Sequence, residues 1–170
     1  MELPLFRMTL GYFVEQEHLL MIHRNQNPED IHFGMWIAPG GSFEGLELPD
    51  DCLRREFKEE TGLTPENFQR VGLVYFDNAE KIRPNGKPFG FNAEVFLYEI
   101  SRASGTLRKH DDKGNRIYRV PTNHVYSKPM TEGDRLLWST IQQNLGKPFD
   151  AYIKHIGTKL DKSHSRIDFR

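Results

Sequence analysis

The chain has 170 residues, with 23 Lys plus Arg against 24 Asp plus Glu for a formal net charge of -1, and 37% of it is hydrophobic. That length suits one domain that buries a core without staples, and the near-neutral balance excludes attraction to a nucleic-acid polymer as the main business of the surface. A lone cysteine, Cys52, excludes an internal disulfide and a cysteine-rich zinc site; the lack of a signal-like start or a long apolar run adds the expectation of a soluble, cytoplasmic protein with no membrane partner.

Met8 to Val14 and His18 to Arg24 are apolar-rich runs separated by Glu15-Gln16-Glu17, the pattern of a strand, a tight turn and a strand. Asn25 to Phe33 is polar and reads as a loop. It leads through Met35-Trp36-Ile37, a short strand, into the glycine turn at Pro39-Gly40-Gly41. Pro49 is placed to open a helix that runs to about Thr61, with Asp50 and Asp51 at its positive end and Gly62 as its stop. Arg70 to Phe76 and Phe91 to Ile100 read as strands around a long polar loop, Asp77 to Gly90. Ile117 to Val120 is one more short strand. The rest of 101–128, with basic stretches such as Arg108-Lys109-His110 mixed with Asp111 and Asp112, reads as a solvated loop. Leu136, Leu137, Ile141 and Leu145 fall on one face of a helix over Asp134 to Leu145. No repeat, linker or low-complexity tract divides the chain, so residues 1–170 are expected to form one domain.

The chemistry is concentrated between Gly41 and Leu63. On a helix of about 3.6 residues per turn, Glu56, Glu59 and Glu60 stand at i, i+3 and i+4 and crowd three carboxylates onto one face. Like charges at that spacing destabilise a helix by a few tenths of a kcal/mol per pair, unless a cation neutralises them. A hard divalent ion such as Mg²⁺ takes oxygen ligands and bridges carboxylates to phosphates. Arg55 reaches Glu59 at i+4 and is suited to positioning it, while Gly40 and Gly41 let backbone approach a ligand closely. Taken alone, the glutamates also fit an ordinary solvated helix face.

The whole segment decides between these. Gly41, Glu47, Arg55, Glu56, Phe57, Glu59, Glu60, Gly62 and Leu63 match every specified position of the pattern G-x5-E-x7-R-E-U-x-E-E-x-G-U, where U is apolar. On these residues the chain resembles the Nudix hydrolases. The resemblance implies an α+β fold, a mixed β-sheet flanked by helices in an α/β/α sandwich. It implies Glu56, Glu59 and Glu60 as ligands of Mg²⁺ (or Mn²⁺), helped by the carbonyl of Gly40 or Gly41, with Glu47 supporting the loop. The implied reaction is attack of water on a phosphoric anhydride of a small nucleotide. Glu59, Glu60 or Glu94 is the base in that resemblance.

His23 and Arg24 align with phosphate-contacting basic residues of such enzymes, and an ordinary surface role fits them equally. Met130-Thr-Glu-Gly-Asp134-Arg, followed by Leu136, Leu137 and Trp138, resembles the base-recognition segment of the MutT-type oxidised purine triphosphatases. Asp134 is then a reader of a purine edge or a helix cap, and Trp36 an aromatic wall. Ile37 and Ser42 depart from that subgroup, which has a base-reading asparagine or a lysine there. The expected reaction is hydrolysis of a triphosphate such as 8-oxo-dGTP to the monophosphate. ADP-ribose or a dinucleoside polyphosphate is the alternative substrate, and a non-hydrolytic ligand sensor the third reading. Monomer and homodimer are both open.

Overall fold

The computed structural model describes residues 2–144 and 146–170. The expected hairpin is present as β1 (Leu5–Glu15) and β2 (His18–His23). Its turn residues, Gln16 and Glu17, have φ of 50° and 60°. Left-handed backbone at both positions matches the twist of a two-residue hairpin, although neither residue is the glycine or asparagine that adopts it at least cost.

β1 is the organising strand. From Leu5 to Phe13 it runs parallel to β6 (Phe91–Gly105), and Met8, Thr9 and Leu10 also pair with Ser42, Gly41 and Gly40 of the short β4 (Gly40–Ser42). With β3 (Trp36–Ile37), β5 (Leu63–Asn78), β7 (Arg116–Pro121), β8 (Phe149–Ile156), β9 (Lys159–Leu160) and β10 (Arg166–Phe169), the strand order is β10-β8-β5-β6-β1-β2-β3. β4 adds to β1, β7 to β2 and β9 to β8. The β1–β6 and β5–β8 pairs are parallel and the others antiparallel, so the sheet is mixed.

Two helices cover its two faces. Leu19 and Met21 of β2 and Val95 and Leu97 of β6 pack in the cluster that holds Leu137, Trp138 and Ile141 of α2 (Glu132–Asn144). The alternate residues Leu20, Ile22, Phe96, Tyr98 and Ile100 pack with Leu53 and Phe57 of α1 (Pro49–Thr61). Side chains alternate across a strand, and a strand buried on both faces reads as a continuous apolar run. The α+β sandwich is therefore as expected. Helix α1 lies so close to β1 that a methyl group on Gly11 would stand 2.8 Å from Ile100 and 3.0 Å from Phe57. Pro49 opens α1 and Gly62, at φ 80°, ends it with its N–H on the Lys58 carbonyl; any side chain at Gly62 would collide with the Thr106 carbonyl.

Three expectations fall short. β5 and β6 extend well beyond Arg70–Phe76 and Phe91–Ile100, because Leu63 pairs as far as Gly105 through register shifts around Pro65, Asn67 and Arg70. Bulges of this kind let a ladder run past a proline and polar residues that a sequence pattern reads as its end. The solvated loop placed over 101–128 is largely ordered structure: its start continues β6, β7 pairs with β2, and a 3-10 turn, Thr122–Ser127, buries Val125. The Asp111 carboxylate organises the rest, accepting the N–H groups of Lys113 and Asn115 and the Asn115 side-chain amide. Helix α2 starts two residues before Asp134, and the expected end of its apolar face, Leu145, lies outside the described residues. Among the described residues, no helix is long and apolar enough to cross a membrane.

Replacing Gln16 by Asn together with Glu17 by Gly gives the turn residues suited to its backbone. We expect about 1 kcal/mol of added stability, read as a Tm increase of roughly 2–4 °C by differential scanning calorimetry.

Candidate active site

The carboxylate cluster sits where the C-terminal half of α1 meets β4. Arg55 holds it together: its Nε and Nη2 donate to the two oxygens of Glu47 at 3.1 and 2.6 Å, Nη1 donates to Glu56 at 2.8 Å and Glu59 at 3.3 Å, and Nη2 also donates to the Ser42 carbonyl at 2.9 Å. This fork-to-carboxylate geometry is the strong kind of ion pair. It holds the Glu47 carboxyl down at about 2, and Glu47 also accepts the Glu44 N–H at 2.8 Å. The expected Arg55–Glu59 contact is thus one spoke of a larger hub.

The two glycines of β4 are required by what lies against them. A side chain on Gly40 would run into the Thr9 carbonyl of β1, and one on Gly41 into the carboxylate of Glu56. Glu60 turns the other way and accepts the Gly40 N–H at 2.8 Å. Burial pushes the Glu60 carboxyl up to about 8, with the Gly40 hydrogen bond opposing the rise and the charge of Glu56 adding to it. Burial raises Glu56 as well, against the pull of Arg55. Glu59 is the outermost of the three, its side chain 55% exposed.

Two desolvated carboxylates without a full complement of cations are an arrangement that a hard divalent ion relieves. The donors at hand are carboxylate and carbonyl oxygens, the set Mg²⁺ or Mn²⁺ takes. Among the described residues, no three His, Cys, Asp or Glu side chains converge into a closed cage; such ions commonly complete their shell with water and phosphate oxygens. The residues therefore fit a divalent cation shared with a substrate. Cys52 takes no part: it is fully buried, within 3.6 Å of Thr9 and 3.7 Å of the Gly41 carbonyl, and its thiol is pushed up to about 12 by burial.

Glu94 faces the α1 side of the sheet, in step with Phe96, and its carboxylate lies 3.3 Å from the Arg7 guanidinium. Arg24 donates to Asp30 at 2.6 Å, and Asp30 in turn accepts the His32 N–H. The positive charge of Arg24 is felt both at Glu60 and at His32. His23 stacks on Trp36 with ring centroids 4.6 Å apart, and the Lys128 ammonium lies 4.6 Å from the same indole.

On the opposite face of β1, at the N-terminal end of α2, lies a pocket of about 70 Å³ that opens to solvent. It is lined by Met8, Leu10, Ile37, Phe76, Phe91 and Val95 with the polar groups His32, Asn78, Lys81, Thr131, Asp134 and His155. Asp134 lies here; Trp36 does not. Thr131, not Asp134, caps α2: its hydroxyl oxygen accepts the Asp134 N–H at 3.1 Å, and the hydroxyl donates back to the carboxylate at 2.7 Å. Asp134 thus keeps acceptor capacity toward the pocket, and burial raises its carboxyl above the ordinary range. His155 bridges Asn78 at 2.9 Å and the Gly133 N–H at 3.1 Å, so Nε2 accepts and the ring is neutral; burial lowers it to about 4. His32 is lowered to about 4 by burial and by the nearby Lys81 and Arg24 charges. A larger cavity near the other end of α2, lined by Tyr12, Phe68, Glu99 and Trp138, shares no residue with the carboxylate cluster, here called the box.

Sequence reasoning missed Lys81, Asn78, Thr131, His32 and His155. The one available signal was Thr131-x-x-Asp134, a helix-start pattern that places Asp134 inside the first turn.

The sequence pattern of the NUDIX domain matches residues 5–137, and the chain belongs to the Nudix family. An uncharacterised Nudix hydrolase of Bacillus subtilis is 31% identical over 105 residues, 59% of this chain and 60% of that protein. An ADP-ribose pyrophosphatase of Methanocaldococcus jannaschii is 29% identical over 102 residues, 60% of this chain and 54% of that one. The chain thus spans little more than half the length of these relatives. The crystal structure of a MutT protein from Bacillus halodurans shares the fold, with a TM-score of 0.78 at 21% identity over 96% of this chain and 97% of that one.

Gly41→Ala forces the Glu56 carboxylate out of its place while leaving the core intact. Affinity for Mn²⁺, read by calorimetry, is expected to fall at least about tenfold, with Tm changed by no more than a few degrees. The two depressed histidines set a pH dependence. Above pH 6.5 they are neutral in folded and unfolded chains alike; as pH falls toward 4 the unfolded chain takes up protons that the folded one refuses, so stability drops. The loss at pH 5 is at most about 2 kcal/mol per histidine; the raised Glu60 carboxyl works the other way, since the folded chain takes up that proton first. The test is therefore the variant against wild type: on going from pH 7 to pH 5, His155→Gln should lose up to about 2 kcal/mol less stability than wild type in denaturant unfolding.

Proposed function

We propose that this chain is a divalent-metal-dependent hydrolase of nucleoside diphosphate derivatives. Its preferred substrate in this reading is a nucleoside triphosphate of the 8-oxo-dGTP kind, cleaved to the monophosphate and pyrophosphate. The observation that carries it is the pairing of two sites across β1 and β4: a carboxylate cluster built around Gly40 and Gly41 on one face, and a pocket with aromatic walls and a buried carboxylate on the other. One suits the phosphates and the other a flat base.

In this reading Glu56, Glu59, Glu60 and the Gly40 carbonyl hold the cation, Arg55 positions the glutamates, and Gly41 leaves room for Glu56. When bound, the cation neutralises charge on the phosphate oxygens and acidifies water. Water adds to phosphorus, the anhydride P–O bond breaks, and pyrophosphate departs carrying the bonding pair. Glu59, exposed and at the rim, accepts the proton, with Glu94 as the second candidate. Arg24 and His23 steady the phosphates, and Asp134 accepts from the base edge.

A second substrate reading has its own support. The loop of residues 79–90 forms, with Arg24, Asn27 and Lys113, a polar cleft in which the Arg83 guanidinium lies 3.8 Å over Phe89. That leaves room for a second group beyond the diphosphate, as ADP-ribose or a dinucleoside polyphosphate has, and one relative is an ADP-ribose pyrophosphatase. A sensor without hydrolysis is disfavoured by the intact Glu56, Glu59 and Glu60.

The deciding experiment is product release from 8-oxo-dGTP, dGTP, ADP-ribose and a dinucleoside tetraphosphate, with Glu59→Gln as the blank. 8-oxo-dGTP should lead in kcat/KM, and chelation with EDTA should abolish turnover until Mg²⁺ or Mn²⁺ is restored. Preference for another compound overturns the triphosphate substrate, and metal-independent turnover overturns the mechanism.

A further inference from the structure

Lys81 is the charge in this molecule that the catalytic reading leaves unused. It is only 4% exposed, although it lies in a segment whose composition promises solvent. Its ammonium makes a single long contact, 3.5 Å to the Gly157 carbonyl in the β8–β9 turn. No carboxylate lies within 4 Å of it among the described residues. Burying an ammonium with so little compensation is costly, by several kcal/mol per ion even after relaxation, and burial accordingly pulls its pKa down, with Asp134 opposing. A residue kept at such expense in a pocket wall calls for a ligand that completes its shell.

The neighbours define that ligand. Lys81 carries donors alone, and Asp134, held by Thr131, offers acceptors alone when ionised. Both line a pocket whose walls include Phe76 and Phe91, while His155 has both ring nitrogens engaged by Asn78 and Gly133. An occupant that satisfies both presents an acceptor toward Lys81 and a donor toward Asp134, and the aromatic walls favour a planar one. Two nucleobase edges do so: a lactam, with C=O next to N–H, and an amidine, with a ring nitrogen next to NH₂. In the lactam the acceptor is a carbonyl oxygen, the stronger partner for an ammonium, and the donor is a ring N–H polarised by that carbonyl, the stronger partner for a carboxylate. Charge-assisted bonds reward both differences.

We propose that Lys81 is a specificity-determining residue: its ammonium donates to a ring carbonyl whose adjacent N–H is accepted by Asp134, so the pocket selects 6-oxopurines over 6-aminopurines. The inference rests on this pocket being the nucleoside site of the proposed function. It adds a reader from the loop after β5, inside the segment matched to the family pattern, held by the β8–β9 turn that lies beyond that segment.

The test uses IMP and AMP, which differ only in that edge, titrated into the full chain by calorimetry without added metal, so that binding is read apart from hydrolysis. IMP should bind about 10- to 100-fold tighter than AMP, the range of one or two charge-assisted hydrogen bonds. Lys81→Met should remove most of that preference by weakening IMP and leaving AMP nearly unchanged. Because the substitution removes an uncompensated buried charge, its Tm should hold or rise; a fall of several degrees with the preference retained marks Lys81 as structural and overturns the proposal. Equal binding of IMP and AMP to the wild type, equal loss of both in the variant, or no binding of either also overturns it. IMP selectivity without turnover of any triphosphate leaves the base reading standing and defeats the hydrolase reading instead.

Discussion

Arg55 is the cation around which Glu44, Glu47, Glu56 and Glu59 are gathered, each within 3.4 Å of its guanidinium. Remove that charge and the four carboxylates lose the cation they share, and the loop from Glu44 to Leu48 keeps only its backbone bonds from Leu48 into the first turn of α1. The guanidinium also binds the Ser42 carbonyl, so the same group fixes the helix to β4. From that fixed point the geometry propagates: β4 is held against β1, Gly41 admits the Glu56 carboxylate, and Gly40 supplies the N–H that receives Glu60. A lysine, with one compact point of charge, cannot make this fork of contacts.

The second constraint is the sheet itself. β1 pairs on one side with β6 and on the other with β4 at its middle and β2 at its end. It therefore carries two kinds of neighbour at once: residues facing α1 lie beneath the box, and Met8 and Leu10 face the pocket under α2. Leu10 of the pocket pairs with Gly40, whose N–H receives Glu60, so β1 and β4 link the carboxylates to that pocket. Arg24, whose charge reaches both Glu60 and His32, sits at the border between them.

How far this was legible in the sequence follows from how each part is made. The box could be read because its chemistry is contiguous: one turn, one helix and one stop, with glycines where the backbone is approached and glutamates at helical spacing. The hairpin followed from two apolar runs around a polar turn, α1 from its start and stop residues, and α2 from apolar periodicity. The pocket could not be read because its polar groups come from separated segments, His32, Asn78 and Lys81, Thr131 and Asp134, and His155, which only the sheet brings together. The ordered structure within 101–128 was hidden for a related reason. Its polar residues are satisfied by particular partners, Asp111 by Asn115, and Asn115 by the Asn25 and Gln26 backbone, and composition cannot distinguish a satisfied polar turn from a solvated one.

This division has a physical consequence for how such a molecule diversifies. The box residues are mutually dependent: Gly41 is needed by Glu56, Glu56 is held by Arg55, and Arg55 by Glu47, so a change at any one strands a buried charge. The pocket residues are tied in separate small groups instead of through one hub. Lys81 leans on a loop carbonyl, His155 on Asn78 and the first turn of α2, and Asp134 on its own helix cap. Each can be exchanged at the cost of its own contacts. Recognition can then drift while the carboxylate cluster stays fixed, so a complete pattern from Gly41 to Leu63 says little about what the pocket holds; in the proposed reading that choice falls to Lys81 and Asp134.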